Sequence, residues 1–513
     1  MLLERIARTS LKVADTSSRL TKIELIASCL RSLRPEEVPV AVAYLSGVLP
    51  QGTVGVGWAT LRDVPPGSPE PTLDLLELHA ALTFLAETTG PGSTTARRKM
   101  INEVFAQATE VEQNFLRRLL LGELRQGALE GVMVESVARA TDASAAAVRR
   151  ALMLAGDLGT VAAAAVADGS PGLARFRLEV LRPLQPMLAQ TADDLESALR
   201  RIPTATLEWK LDGARIQAHR NGDEVCVFTR NLADITDRVP EVVDAVRALP
   251  VDSIVLDGEA IALDTDGRAR PFQVTMSRFG SRLQVPQLRA VTPLSSFFFD
   301  CLHLDGEDLV DRPWRDRLSA MAERVPGPLR VPRISEPAIE EAVGFFESVI
   351  RLGHEGVMVK ALDAPYEAGR RGAGWLKVKR AHTLDLVVLA AEWGHGRRKG
   401  RLSNIHLGAR DPATGGFVML GKTFKGMTDK MLEWQTERFL QLETRREGIT
   451  VYLEPALVVE IAFDGVLTSP RYPAGMALRF ARVKGYRPDK SPLEADTIET
   501  VRAIFSGDPP GSP

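Results

Sequence analysis

The chain has 513 residues, 45% hydrophobic and 25% charged, with 64 Lys plus Arg against 66 Asp plus Glu. At ~150 residues per domain this length predicts roughly 3.4 domains, and the composition excludes wholesale disorder. A net charge of −2 excludes a uniformly basic nucleic-acid coat, so any basic surface is local. Cys29, Cys226 and Cys301 stand far apart and supply neither a four-thiolate zinc site nor a disulfide framework. They read as reduced thiols in the cytoplasm. No apolar run approaches the ~18 residues of a membrane span, and MLLERIARTSLKVADTSSRL is interrupted by charge and lacks a signal-peptide core.

Residues 1–170 read as helical. KIELIASCLRSL places Ile23, Ile26, Ala27 and Leu30 at helical spacing, and VEQNFLRRLLLGELRQG predicts a helix ending on Gly127. Its Arg117, Arg118 and Arg125 mark either a solvated face or one for a polyanion. VAAAAVADGSPGLARF predicts a boundary, with a loop from Asp168 to Pro171.

Beyond Leu181, short β-type runs alternate with turns. TLEWK, ARIQAHR and EVCVFTR read as strands, and Asn221-Gly222 predicts a hairpin between the last two. SIVLDGEAIALD and SSFFFDCLHLD are further strands. EEAVGFFESVIRLG is an amphipathic helix leading into the strand VMVK. Strands, a helix, then strands define an α+β domain. From about residue 384, LDLVVLAAEW, FVMLGKTF and YLEPALVVEIAFDGVL are β-rich, with a helix around MLEWQTERFLQLE; this is the pattern of a small β-barrel with an inserted helix. Residues 391–430 hold eight Lys/Arg against three acids, the clearest local positive field in the chain.

The chemistry begins at Glu208-Trp209-Lys210-Leu211-Asp212-Gly213, a strand end, a turn and a new strand. A lysine there, penalised as an ammonium by burial and neighbouring cations, becomes a nucleophile at neutral pH. Asp212 is placed to orient the amine or to bind metal. Lys-x-Asp-Gly alone recurs by chance in roughly one chain in ten of this length, and then means only an exposed lysine beside a turn. Order and spacing add the rest. Downstream stand Arg230 in FTRN, Asp257-Gly258-Glu259, Phe299-Asp300 in SFFFD, Glu355-GVMV-Lys360, Trp375-Leu376-Lys377-Val378-Lys379, and RFARVKGYRPDK from Arg479 to Lys490.

This ordered set resembles the covalent nucleotidyltransferase superfamily of ATP-dependent DNA ligases, RNA ligases and mRNA capping enzymes. PMLAQ, PFQVTMSR, SPRYPAGMALRFAR and LLLGELRQGALEGV narrow the resemblance to ATP-dependent DNA ligases with an N-terminal DNA-binding domain. Over nearly the whole chain it implies a multi-domain fold: an all-α DNA-binding domain (1–172), an α+β adenylation domain (173–383) and a β-barrel OB-fold domain (384–513).

The resemblance also implies roles. Lys210 takes AMP from ATP, Glu208 contacts adenine and Phe299 stacks on it. Arg215, Arg230 and Arg371 bind ribose and phosphate, Arg371 being chosen over Arg370 for its spacing before Trp375. Lys377 and Lys379, alternating on one strand, suit the α-phosphate. Glu259 also touches the nucleotide and, with Glu355, binds Mg2+, with Asp212 behind them; hard carboxylates beside phosphate suit that ion. Arg479, Arg482, Arg487 and Lys490, beside Asp489, cover the β- and γ-phosphates. Ala481 stands where many relatives have Pro. The partner implied is nicked duplex DNA held by its backbone, the expected state a monomer, and the roles replication, repair or recombination. A nicotinamide-cofactor ligase is disfavoured, since its zinc finger needs four cysteines. An RNA ligase or a capping enzyme leaves residues 1–170 unexplained, and a non-catalytic scaffold is at odds with the presence of Lys210, Glu259, Glu355 and Lys377.

Overall fold

The computed structural model describes residues 1–280, 284–368, 371–380 and 382–506, and of Arg371 and Ala373 it describes the backbone. Ten helices occupy Leu3–Ala174. Their apolar faces share one core that includes Leu3, Ile6, Ile26, Leu30, Tyr44, Phe105, Leu116, Val137 and Val161. Local chemistry fixes where they start. Asp74 accepts from the backbone N–H groups of Leu76 and Glu77, Thr109 and Glu112 form a capping box, and Ser144 caps the helix Ala145–Ala155. Such caps contribute about 1 kcal/mol each.

Two expectations are corrected here. The helix predicted to end on Gly127 is Glu110–Leu120; Gly122, at φ +67°, supplies the left-handed exit earlier, and Gly127 lies in the loop beyond. The loop expected at Asp168–Pro171 is a kink inside the helix Leu158–Ala174. Gly169 takes φ 58° and ψ −139°, outside the helical region, and Pro171 has no N–H for the preceding turn, so two helical stretches meet there at a kink and not across a loop.

Two five-stranded sheets follow. Their strands are β1 (Leu188–Thr191), β2 (Ala205–Lys210), β3 (Ala214–Asn221), β4 (Glu224–Thr229), β5 (Ser253–Ala262), β6 (Leu294–Leu304), β7 (Glu307–Asp308), β8 (Arg333–Ser335), β9 (Gly356–Ala361) and β10 (Arg371–Lys379). One sheet runs β4-β3-β5-β6-β7 and the other β1-β10-β9-β2-β8. The Asn221-Gly222 hairpin forms as expected, with Asn221 opposite Glu224 and Gly222 at φ +59°. Met153 and Leu154 of the helical region pack in one cluster with Leu178, Leu184, Met187, Tyr366 and Trp375.

The last region contains β11 (His382–Trp393), β12 (Leu402–Arg410), β13 (Phe417–Thr423), β14 (Glu443–Glu447), β15 (Thr450–Leu453), β16 (Val458–Phe463), β17 (Gly465–Thr468), β18 (Met476–Arg479) and β19 (Arg482–Tyr486). β11 pairs with β16 along its first half and with β15 along its second, so one long strand bends between two partners. The helix Asp429–Gln441 adds Leu432 and Phe439 to a core with Leu386, Ile405, Val451 and Ile461.

The chain divides into two compact units, Met1–Phe345 with Met358–Lys377, and Phe346–Val357 with Val378 onward. No helix among the described residues is long and apolar enough to cross a membrane.

Candidate active site

Lys210 ends β2, a strand buried from Ala205 to Glu208 and emerging at Trp209 and Lys210. The turn after it is forced against β5. A Cβ at Gly213 would lie 2.6 Å from the Ala260 carbonyl oxygen and 2.8 Å from Glu259 Cγ, so only glycine brings this loop so near Glu259. Gly258 is constrained likewise, since its Cβ would lie 2.7 Å from Phe298 Cδ1. Gly213 thus seats Lys210's loop over the strand carrying Glu259, while Gly258 lets that strand lie close to Phe297 and Phe298 of β6.

Glu208 is buried, and its carboxylate lies 3.1 Å from Arg333 Nε and 2.5 Å from Lys360 Nζ. The Lys360 ammonium is itself buried, 4.4 Å from the ring centroids of both Phe299 and Trp375 and 5.1 Å from that of Trp314. Burial pushes its pKa down against the opposing pull of Glu208, while the ring faces supply negative quadrupole. Phe299 meets Trp375 edge to face at 6.0 Å. Asp300, next in sequence, is fully buried and bidentate with Arg317 at 2.7 and 2.9 Å, which fixes the backbone beneath Phe299.

Arg215, expected at ribose or phosphate, has most of its donors engaged in the protein. Nε and Nη2 donate to Asp257 at 2.9 and 2.5 Å, and Nη1 donates to the Met187 carbonyl at 2.6 Å. Tyr366 Oη donates to Asp257 at 2.7 Å. The guanidinium lies 5.5 Å from the Phe299 centroid, so Arg215 forms a wall of the aromatic cluster. Burial opposes its charge, and Asp257 more than restores it, raising the pKa. Arg230 is exposed in the turn after β4. Asp212, Glu259 and Lys377 are half-buried. Arg370 lies outside the described residues, as does the side chain of Arg371.

The remaining candidates belong to the second unit. Glu355 accepts Lys379 Nζ at 2.8 Å, with Arg479 at 3.8 Å. Lys379 also reaches Asp464 at 3.1 Å, and Arg482 lies 3.5 Å from the same carboxylate. Burial alone would lower the Lys379 pKa; Glu355 and Asp464 reverse it and hold it above its usual value. Arg487 is bidentate with Asp489 at 2.9 and 2.6 Å and reaches Asp385 at 3.1 Å, where Lys490 Nζ also lands at 2.5 Å. Glu259 and Glu355 fall in different units. No group of three His, Cys, Asp or Glu among the described residues forms a metal cluster.

Sequence reading missed Asp257, Tyr366, Trp375, Lys360, Asp464 and Asp385 as site-building residues. Asp257, Lys360 and Trp375 lay inside motifs already read for their neighbours. Asp464 and Asp385 carried no local signal.

The first unit thus sets a strand-end lysine beside the strand that carries Glu259, next to an aromatic cluster around the buried acid Glu208; the second unit, taken by itself, holds arginines and lysines on the carboxylates of Glu355, Asp464 and Asp385. Family models match by description: DNA ligase N terminus over residues 59–138, ATP dependent DNA ligase domain over 186–379, and ATP dependent DNA ligase C terminal region over 398–490. A probable DNA ligase of Anaeromyxobacter dehalogenans is 58% identical over 513 residues, covering 99% of this chain and 100% of the relative. One from Mycobacterium marinum is 58% identical over 98% of this chain and 100% of its own. The solved structure of Pmar-Lig_PreS3 matches 94% of this chain and 99% of its own at 22% identity and a TM-score of 0.59, which shows a shared fold. The chain belongs to the ATP-dependent DNA ligases, enzymes that seal nicks through an adenylate intermediate. Its fold class is the one expected: a helical N-terminal domain, an adenylation domain and an OB-fold domain.

Proposed function

We propose that Lys210 is the residue that carries AMP. Its uncharged amine attacks the α-phosphorus of ATP; the P–N bond forms as the bond to pyrophosphate breaks, and the amine gives up a proton. A 5′-phosphate oxygen at the nick then displaces Lys210, which regains a proton. The neighbouring 3′-hydroxyl attacks that 5′-phosphorus, losing its proton as AMP departs and the phosphodiester forms. The observation that carries this reading is the forced approach of the Lys210 loop to the Glu259 strand through Gly213.

Around that centre, Phe299 stacks on the base and Glu208 accepts from its amino group, with Lys360 beside it. Arg230, Arg371 and Lys377 bind the sugar and α-phosphate, and Arg215 acts through the wall it builds with Asp257. Arg479, Arg482, Arg487 and Lys490 take the outer phosphates, where fixed cations offset charge developing in the transition state. Glu259 supplies a hard oxygen suited to Mg2+, an ion bound through one or two carboxylates together with substrate phosphates. Glu355, paired with Lys379 at 2.8 Å, would be the second carboxylate to hold that ion. When bound, Mg2+ neutralises phosphate charge.

We assign DNA binding to 1–172, adenylation to 173–383 and the OB-fold to 384–513, acting as a monomer in the cytoplasm on nicked duplex. The test is sealing of a nicked duplex with ATP and Mg2+. Wild type joins the strands, and Lys210→Ala joins none while keeping its thermal unfolding temperature. Ligation with ATP by Lys210→Ala overturns the assignment.

A further inference from the structure

We propose that Asp385 is a positioning residue for the ATP-dependent first step, setting the spacing of Lys490 and Arg487 before the nucleotide arrives. The inference rests on the assignment of those two cations to the outer phosphates.

Asp385 lies near the start of β11, opposite Glu460 of β16. Its backbone is fixed from two directions: its N–H donates to Asp496 Oδ2 at 2.7 Å, and its carbonyl accepts from the Asp496 N–H at 2.8 Å. The carboxylate is only 10% exposed, and a single oxygen, Oδ2, accepts from Lys490 Nζ at 2.5 Å and Arg487 Nη1 at 3.1 Å. The cations are anchored from their own side as well. The Arg487 N–H donates to the Val458 carbonyl at 2.9 Å, the Lys490 N–H donates to the Arg487 carbonyl at 3.2 Å, and Asp489 takes the other edge of the guanidinium.

Two cations on long side chains repel one another and lose rotamer freedom when they converge on phosphate. A carboxylate between them offsets the repulsion and spends that freedom in advance, which is preorganisation. Asp385 is suited to this and Asp489 is not. Asp385 grips both cations from a buried, doubly tied backbone, whereas Asp489 is exposed and forms its close ion pair with Arg487.

The test separates the step that uses ATP from one that does not. Self-adenylation of Asp385→Asn is followed against ATP concentration, alongside sealing of a nick whose 5′-phosphate already carries AMP. The expected result is a rise of about tenfold in KM for ATP with less than a twofold change in the pre-adenylated reaction, and recovery of KM within threefold in Asp385→Glu. Equal loss in both reactions, or no change in either, overturns the proposal. A double-mutant cycle guards against a general folding defect. If Asp385 acts through its cations, Asp385→Asn placed on Lys490→Gln adds less than a further twofold; losses that multiply overturn the proposal. Failure of the wild type to take label from ATP would instead strike the assignment of Lys210, so the two failures are distinguishable.

Discussion

Asp300 and Arg317 are both completely buried, and Arg317 donates Nε and Nη2 to the two carboxylate oxygens of Asp300 at 2.7 and 2.9 Å. Asp300→Asn leaves the guanidinium buried without that anion, a change that costs about 3–5 kcal/mol. Urea unfolding should show that loss; one below about 1 kcal/mol would mean the pair does not anchor β6. Glu392 gives a titration at the same scale. Burial alone would raise its carboxyl pKa, but hydrogen bonds from Lys422, His406 and Asn404 overcome this and hold it at about 2, against an ordinary 4.5. A depressed folded value stabilises above the unfolded pKa and is lost as pH falls through the folded one. The stability gap between wild type and Glu392→Gln should therefore be full at neutral pH and close progressively below about pH 4.5. A gap independent of pH contradicts the ion-paired state. Glu208, Lys210, Glu259 and Phe299 could be picked out in the sequence as candidates because each sits in a short motif. Asp257 with Tyr366, and Asp385 with Arg487, were not, being 109 and 102 positions apart and meeting only through tertiary pairing.

At the scale of elements, the apposition of the Lys210 loop and β5 depends on a missing side chain. Gly213→Ala places a Cβ against backbone and against Glu259, where no flexible side-chain tip alone absorbs the clash. Displacement of the loop by about 1 Å should slow self-adenylation by about 100-fold, measured as a single-turnover rate with thermal unfolding recorded in parallel. An unchanged rate would show that the loop's closeness to Glu259 is incidental. Strand periodicity and the Asn221-Gly222 hairpin were readable because alternation and turn chemistry are local. The helix ends were less so. Gly122 and Gly127 both offer left-handed exits, and the chain leaves the helix at the first. Gly169 and Pro171 look like a loop in sequence, yet the break is a kink at Gly169 between two helical stretches packed through Val161, Ala162, Ala165 and Leu173. Burial decided what composition alone left open.

At the scale of the whole molecule, the helical region shares an apolar cluster with the sheets that follow it. Met153 and Leu154 complete an apolar cluster with Leu184, Met187 and Trp375, and Arg150 pairs with Asp311 at 2.6 Å. A chain lacking residues 1–172 should therefore unfold several degrees lower than the intact protein, by calorimetry, and lose nick binding more severely than self-adenylation. An unchanged unfolding temperature would mean the cluster contributes nothing. The division into a helical, an α+β and a β-barrel segment was visible as a change of texture along the chain, whereas the packing of Met153 against Met187 was not.

Lys210 as the carrier of AMP is the central claim, and incubation with α-labelled ATP and Mg2+ without DNA tests it most directly. Protein first stripped of bound AMP with pyrophosphate is resolved on a denaturing gel, with labelled GTP, labelled NAD and Lys210→Ala in parallel. An acid-labile label from ATP alone, absent from Lys210→Ala, is the predicted result. Label retained by Lys210→Ala, or no label on the wild type after stripping, would contradict it.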